Sequence, residues 1–456
     1  MKIRVFRAGH GDALLLTSSG GKNILVDGGE FHAYEDHWAQ TVAKMREDGE
    51  VLDLVCVSHT DRDHIGGILR MLDNEVKWRV HEFRLGNSPR SNRRPPKLRR
   101  PPEVKAIWHN AFLEKARRRQ FRSSNRGQAV LDVSDILFRS AMIHAGAGDT
   151  LLPSAENGEE ASVVASRLAD RLKFLGQSVG DAIELSRRIG AKQLNIPLNP
   201  EFGGEFVLRK RHQDPFDLGD LAVTVLGPTQ SDMNQFEKKW NSWLRDNASW
   251  LKTLQKRHDK SARQLHQDDL SDILDAAREA SITLAGNQNV TAPNLASIVM
   301  LVEEGDHSIL LTGDADDPDI LDGLKAAGRL DADGRIRVTT YKVPHHGAHN
   351  SYSNKLASRI IADDYIFCGD GANTNPEIDV ITGYLEVLFE GRNGFPPALP
   401  SGVKPTFWFN DGPKVASSKY RDHWDRVEDL LKVWKGRLGT RFRYKLMSSG
   451  DSFLVR

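Results

Sequence analysis

Runs of hydrophobic residues predict a series of short strands in the N-terminal part of the chain. Residues 3 to 6, 13 to 17 and 23 to 26 are such runs, and glycine-rich turns separate them. Residues 36 to 49 have the spacing of a helix, and residues 51 to 58 form an apolar, β-branched run that is typical of a buried strand. The pattern therefore predicts three strands, a helix and a further buried strand.

The same patterns return after a long middle region. Strands are predicted at residues 205–208, 221–226, 296–302, 308–312, 337–343, 361–368, 405–409, 440–447 and 452–455. Helices are predicted at residues 379–390 and 419–437, and residues 127–193 and 231–285 have mostly helical spacing. Strands and helices in this order favour a mixed α/β (α+β) fold, a sandwich of two sheets with helices outside and helical insertions.

Composition indicates an ordinary globular protein. Hydrophobic residues make up 39% of the 456 residues and charged residues 27%. The N-terminus does not have the pattern of a signal peptide, and no apolar run reaches the length of about 18 residues that a membrane span needs. We therefore expect a cytoplasmic location and no membrane contact. Cys56 and Cys368 lie in apolar strand-like runs, and so we expect reduced core residues rather than a disulfide or a metal pair.

Positive charge is concentrated in one segment. Residues 84–126 contain 14 Lys and Arg against two acids, a local charge of +12, whereas the whole chain has +1 and the rest of it therefore −11. Arg93, Arg94, Arg99 and Arg100 lie in its proline-rich centre. Such a segment favours contact with a polyanion such as nucleic acid. The alternative is a solvated loop that pairs with acidic residues of this molecule or of a partner.

The stretch from His59 to His64 places four strong metal ligands within six residues: His59, Asp61, Asp63 and His64. Imidazoles and carboxylates together favour Zn²⁺, Mn²⁺ or iron over Ca²⁺, and no cysteine lies nearby to form a closed structural zinc site. These residues follow the predicted buried strand, where α/β sheets place their sites. Gly66 and Gly67 come next and allow close backbone approach at the start of a helix. The stretch predicts half of a two-metal hydrolytic centre.

Five stretches together resemble the metallo-β-lactamase fold, a four-layer αββα sandwich with its ligands on loops at one edge. They are residues 8–13 (AGHGDA), 24–29 (ILVDGG), 58–67 (SHTDRDHIGG), 310–314 (LLTGD) and 344–347 (PHHG). The chain is most similar to the soluble branch that resembles the metallo-β-lactamase domain of the competence protein ComEC. The resemblance implies one such domain over residues 1–456, with a basic insert at 84–126 and helical inserts at 127–195 and 231–285.

The resemblance also implies a division of the ligands between two metal ions. His59 and Asp61 would bind the first ion, Asp63 and His64 the second, and Asp314 would bridge both. Asp63 and Asp314 are then the residues that we expect to be catalytic. The cofactors that follow are two divalent ions, Zn or Mn.

One histidine of the pair His345 and His346 would complete the second site. We prefer His346 because it stands directly before Gly347, the usual place of the family's last histidine, but His345 remains an alternative. The unused ring would hold its neighbour in orientation. Asp27 would support the ligand loop in the same way.

The chain departs from the family pattern at two places. Asp61 stands where most members have a histidine, and its hard oxygen favours Mn²⁺ without excluding Zn²⁺. Residues 291–297, where the family has a further histidine ligand, contain none. The first metal site would then be weaker, filled only with substrate, or empty. Asn294 in this stretch either binds a substrate oxygen or caps a turn.

Three more polar residues lie in these stretches or directly beside them. His349, two residues after Gly347, is a candidate for contact with the substrate. His10 and Asp12 lie on a turn at the same edge, and for them we expect a turn role.

These observations favour a metal-dependent hydrolase, a phosphodiesterase or nuclease that uses a metal-activated hydroxide. Nucleic acid is the partner expected from the basic segment, and the helical inserts are candidates for contact with a protein partner. One alternative is a hydrolase of a small phosphodiester or a thioester. Another is a metal-bound effector or interaction subunit of a bacterial multi-protein system.

Overall fold

The computed structural model describes residues 1–87, 94–110, 181–182, 184–210, 214–235 and 294–455. In this part of the chain two mixed β-sheets lie face to face, and helices cover both outer faces. The predicted four-layer αββα sandwich is confirmed. Much of the predicted inserts at 84–126, 127–195 and 231–285 lies outside the described residues.

The first sheet has six strands in the order β14-β1-β2-β3-β4-β5. They are β1 (Lys2–Phe6), β2 (Leu14–Thr17), β3 (Asn23–Val26), β4 (Leu54–Val57), β5 (Ile107–His109) and β14 (Ser452–Val455). Neighbours from β14 to β3 are antiparallel, whereas β3, β4 and β5 run parallel. The C-terminal ends of β3, β4 and β5 therefore meet at one edge of the sheet.

The second sheet has eight strands in the order β13-β12-β11-β10-β9-β8-β7-β6. They are β6 (Phe216–Leu218), β7 (Leu221–Gly227), β8 (Val299–Glu304), β9 (His307–Leu311), β10 (Ile336–Lys342), β11 (Ile360–Phe367), β12 (Thr406–Phe409) and β13 (Arg443–Leu446). The strands from β6 to β9 are antiparallel, and those from β9 to β13 are parallel. The C-terminal ends of β9 and β10 thus also share an edge.

Helices form the outer layers. The first sheet is covered by α1 (Ala39–Glu47), which follows a π-helical turn at Tyr34–Trp38, and by α2 (Arg62–Asn87). The second is covered by α3 (Asp317–Ala326), α4 (Asn354–Arg359), α5 (Ile378–Phe389) and α6 (Arg421–Leu438). Separate apolar cores fill the space between the sheets and the space under each helical layer. Among the helices that the structure describes, none is long and apolar enough to cross a membrane.

Most predicted elements are confirmed, and the errors have local causes. The apolar pattern predicts a strand at residues 205–208, but no strand forms there, because the Asn110 side chain bonds both backbone groups of Val207, at 2.8 Å to its N–H and 3.0 Å to its carbonyl. The prediction missed β5 and β6, since three residues are too few to show a period. β5 lies within segment 84–126, so that part of the segment belongs to the first sheet.

Both cysteines are free and fully buried, as predicted. Cys56 and Cys368 belong to the apolar core between the two sheets. Burial raises the pKa of both thiols well above the usual value, which keeps them protonated and unreactive.

Candidate metal centre

Loops that follow strands of both sheets converge at one edge of the sandwich. Asp27 follows β3, the His59–His64 stretch follows β4, Asp314 follows β9, and the histidine pair follows β10. Glycines make this approach possible. A Cβ at Gly67 would stand 2.0 Å from the carbonyl oxygen of Gly28, so only glycine fits where the start of α2 passes the loop after β3.

Four residues that are predicted to bind the second ion lie close together, and this group is called the second half of the centre below. His64 Nε2 and His346 Nε2 lie 3.3 Å apart. Asp63 Oδ2 is 3.3 Å from His346 Nε2 and 4.0 Å from His64 Nε2. Asp314 closes the group, with Oδ1 3.4 Å from His64 Nε2 and Oδ2 3.4 Å from His346 Nε2. Donor atoms at these separations surround one point, as the ligands of a single metal ion do.

The first half has fewer converging donors. His59 Nε2 lies 3.5 Å from Asp61 Oδ2 and 3.6 Å from Asp314 Oδ2. Asp314 Oδ2 therefore faces both halves, as the predicted bridging carboxylate would. Among the described residues, two groups of His and Asp have donor atoms that all lie within 4.8 Å of one another, and His59 belongs to neither. The groups are Asp12, His64, Asp314 and His346, and His10, Asp63 and His346.

Both histidines of the pair turn towards Asp314. His345 Nε2 lies 3.7 Å from Asp314 Oδ2, compared with 3.4 Å for His346 Nε2. The two residues have positive φ angles, 49° and 56°, which cost free energy for residues with a Cβ and occur mostly at functional sites. His346 is buried among the ligands of the second half, whereas His345 is 23% exposed and its Nδ1 lies 3.1 Å from Ser351 Oγ.

Asp27 forms hydrogen bonds to the loop that carries the predicted ligands. Its Oδ2 accepts hydrogen bonds from His64 Nδ1 at 2.9 Å and from Ser58 Oγ at 2.7 Å, and its Oδ1 accepts from the Ser58 N–H at 2.7 Å. Ser58 Oγ is also 3.1 Å from His59 Nδ1. With a metal ion bound, each Nδ1 would keep its proton and each Nε2 would present its lone pair to the ion.

Sequence reasoning missed two residues of the site, Asp12 and Lys342. Asp12 is buried, and its Oδ1 lies 3.3 Å from His346 Nδ1, so it does more than shape a turn. Its other oxygen forms an ion pair with the ammonium of Lys342, which is also buried. Asp12 lies in the stretch 8–13 that carries part of the resemblance, but its position in a turn favoured a turn role, and no local pattern marks Lys342, because a lysine at a strand end is a common surface feature.

The carboxylates and imidazoles shift one another's pKa strongly. Burial raises the pKa of Asp314, but the nearby histidines, His346 and His64 foremost, together outweigh burial, so the net pKa is well below the usual value. Burial lowers the pKa of His64 and His346, but the nearby carboxylates, Asp314 foremost, together outweigh burial, so both pKa values are well above normal. Protons on these histidines thus occupy the place that a divalent cation would take in the charge balance.

Several buried polar atoms of the predicted ligands lack a hydrogen-bond partner, as expected of atoms that bind a metal ion. His59 Nε2, Asp63 Oδ1 and Asp314 Oδ1 are buried and have no hydrogen-bond partner within the described part of the chain. Such atoms are costly unless something else binds them. Nitrogen and carboxylate donors in a dry pocket suit Zn²⁺ or Mn²⁺.

Asn294 and His349, two of the residues predicted to bind substrate, differ in exposure. Asn294 is buried in a 3-10 turn, where its carbonyl accepts from the Ser297 N–H at 3.1 Å. His349 is exposed, and its backbone N–H donates to Glu377 Oε1 at 2.8 Å.

The arginines of the basic segment differ in their contacts. Arg93 lies outside the described residues, and Arg94 is exposed. Arg99 pairs with Glu47 on α1 at 2.7 Å. Arg100 pairs with Glu75 at 2.8 Å and with Glu82, both on α2. These two arginines therefore hold the segment against the protein's own acidic residues.

A family model matches the part of the chain that carries the first group of predicted ligands. No match to the chain is found among the curated proteins. The matching model covers residues 7–77, which include β2 to β4, Asp12, Asp27 and the His59–His64 stretch. Those residues match the model of the metallo-beta-lactamase superfamily, and the match, together with the buried His and Asp cluster, indicates a metal-dependent hydrolase.

Proposed function

We propose that this protein is a metal-dependent phosphodiesterase and that nucleic acid is its preferred substrate. The observation that carries the proposal is the position of Asp314. Its carboxylate lies 3.6 Å from His59 on one side and 3.4 Å from His64 and His346 on the other. One residue thus faces two sets of donors, the arrangement that a dinuclear hydrolytic centre needs.

Charge favours two divalent ions over one. The buried carboxylates at the centre are Asp12, Asp27, Asp61, Asp63 and Asp314. Lys342 is the buried ammonium among them, so with neutral histidines five negative charges and one positive charge leave a formal −4. Buried charge of this size is strongly unfavourable unless it is compensated. Two Zn²⁺ or Mn²⁺ ions would neutralise it.

A divalent ion bound here would make water more acidic and polarise a phosphoryl oxygen. The chain's own contribution is orientation and proton transfer. Asp63 has one oxygen 3.3 Å from His346 Nε2, while its other oxygen is buried without a hydrogen-bond partner among the described residues. We assign that free oxygen to orient the attacking water and to accept its proton.

The basic segment supports a polyanionic substrate. Residues 84–126 carry a local charge of +12. Arg94 and Lys97 are exposed there, whereas Arg99 and Arg100 pair with acids of α1 and α2. Phosphate contacts in the described part of the segment would therefore come from exposed cations such as Arg84, Arg94 and Lys97. The resemblance to the ComEC domain points to the same class of substrate.

Hydrolysis assays test this proposal directly. Purified protein should be loaded in turn with Zn²⁺, Mn²⁺ and Mg²⁺ and given single-stranded DNA, double-stranded DNA, RNA and a chromogenic phosphodiester. We expect cleavage of nucleic acid, and loss of that cleavage in Asp314→Asn. Absence of diester hydrolysis with every metal would contradict the proposal.

A second candidate is a hydrolase of small phosphodiesters. The ion pairs of Arg99 and Arg100 favour it, because they show that part of the basic segment neutralises acids of the same molecule. Turnover of the chromogenic diester without cleavage of DNA or RNA would identify this activity.

A further inference from the structure

Lys342 is an ammonium enclosed in the protein at the edge of the metal centre. It is the last residue of β10 and is 1% exposed. Its Nζ forms an ion pair with Asp12 Oδ2, donates to the carbonyl oxygen of Gly313 at 3.1 Å, and lies 4.0 Å from Asp314 Oδ1. An ammonium buried without such partners would destabilise the folded protein, so the burial of Lys342 at this place needs an explanation.

Asp12 connects the ammonium to a predicted metal ligand. Its Oδ1 lies 3.3 Å from Nδ1 of His346, whose Nε2 lies among Asp63, His64 and Asp314. Asp27 lies behind His64 in a similar place, where its Oδ2 accepts a hydrogen bond from Nδ1 at 2.9 Å, whereas the contact of Asp12 with His346 is an ion pair without hydrogen-bond geometry. Both histidines of the second half thus have a carboxylate behind the ring.

The supports of these two carboxylates differ. Asp27 accepts two hydrogen bonds from Ser58, one from its N–H and one from its hydroxyl. Asp12 instead forms an ion pair with the ammonium of Lys342. The same ammonium bonds the Gly313 carbonyl, which directly precedes Asp314, and so it joins the loop after β1 to the loop after β9.

We propose that Lys342 is a positioning residue of the metal centre, which fixes Asp12 behind His346 and the Gly313 carbonyl beside Asp314. The inference rests on the metal-dependent function proposed above. It predicts that removing the lysine weakens metal binding at the second half of the centre, even when the protein remains folded.

The competing explanation is that Lys342 and Asp12 form a structural ion pair only. Lys342→Met alone does not separate the two explanations, because it leaves Asp12 buried without a counter-charge and can unfold the protein. The double variant Asp12→Asn with Lys342→Met removes both charges and keeps similar volumes. A structural pair then predicts native metal affinity, whereas the positioning role predicts that affinity stays reduced.

The experiment measures binding of Zn²⁺ and Mn²⁺ to the full chain by competition with a chromogenic chelator, together with the melting temperature of the metal-free protein. The matched control is Lys22→Met with Asp53→Asn, since these residues form a 2.9 Å ion pair away from the centre. Asp12→Asn alone is the second test variant, because it retains the ammonium. Native affinity in this variant would show that fixing Asp12 does not affect metal binding, even if the double variant does not fold.

We expect the double variant and Asp12→Asn to bind the ion of the second half about 10- to 100-fold more weakly, the usual effect of losing a partner that orients a ligand. The control should bind as the native protein does. Native affinity in both test variants, or no metal binding by the native protein, would overturn the inference. Metal binding by the native protein without diester hydrolysis would contradict the proposed function and leave this inference standing.

Discussion

His64 donates from Nδ1 to Asp27 Oδ2 across 2.9 Å, and this bond determines which ring nitrogen is available to a metal ion. With the proton on Nδ1, Nε2 faces Asp314 and His346. Asp27 has a positive φ angle of 56°, a conformation that places its carboxylate under the ligand loop at a cost in backbone strain. Replacing Asp27 therefore tests whether this hydrogen bond orients the His64 ring.

Asp27→Asn is expected to weaken metal binding about 10- to 100-fold without unfolding the protein. The amide supplies only one acceptor, whereas Asp27 accepts from Ser58 at both oxygens and from His64 at one of them. An NH₂ group would then face a donor, and the ring would lose its orientation. Chelator competition measures the affinity, and Asp53→Asn serves as the control. Equal affinities in the two variants would contradict this role.

Asp63→Ala and Asp314→Ala are expected to abolish hydrolysis while the fold is retained. Both side chains contact the histidines of the centre, which lower the pKa of both carboxyls, so each variant should lose some stability. The apolar cores that hold the sheets and helices together contain neither residue, so the fold should remain. Circular dichroism and melting curves check the fold, and a diester assay checks activity. Native rates in either purified variant would exclude the two-metal mechanism.

Replacement of the two adjacent histidines should have unequal effects. His346 Nε2 lies within 3.4 Å of Asp63, His64 and Asp314, whereas His345 Nε2 approaches Asp314 at 3.7 Å. We expect His346→Ala to lose the metal ion of the second half, and His345→Ala to keep it. Metal content after dialysis decides between them. Loss of that ion in His345→Ala alone would reverse the assignment.

Metal binding should release protons and should weaken as the pH falls. Burial lowers the pKa of His64 and His346, but Asp314 and the other nearby carboxylates raise both above the ordinary histidine value. The metal-free centre therefore holds protons at pH values where a free histidine is neutral, and a metal ion must displace them. Affinity is lost as the pH falls through these raised values. Calorimetry in two buffers of different ionisation enthalpy measures the release, and no buffer dependence would contradict it.

The exposed cations of the basic segment should contribute to nucleic-acid binding, whereas the cations that form ion pairs should contribute chiefly to stability. Replacing Arg94 and Lys97 by serine should reduce the slope of log affinity against log salt for nucleic acid by about 0.7 to 0.9 for each phosphate that is no longer neutralised. Replacing Arg99 and Arg100 should chiefly lower stability, because Arg100 pairs with Glu75 and Glu82. Fluorescence anisotropy across a salt series tests this, and an unchanged slope in the first variant would remove Arg94 and Lys97 from the interface.

The ligand-bearing loops were predictable because chemistry and chain order coincide there. His59 to His64, Asp314 and His346 each follow an apolar run, and the ends of neighbouring parallel strands share an edge. β5 and the failed strand at residues 205–208 were not predictable. A run of three residues has no visible period, and an asparagine side chain that bonds a distant backbone has no signature in sequence.

The sequence by itself determined the alternation of strands and helices, the burial of both cysteines and the residues available as ligands, because these depend on local periodicity and residue chemistry. Only the tertiary structure decided how those residues pair. Asp12 meets Lys342 and His346, and Arg100 meets Glu75, although each pair is separated along the chain. Electrostatic interactions depend on distance in space, and that distance is set by how the two sheets pack.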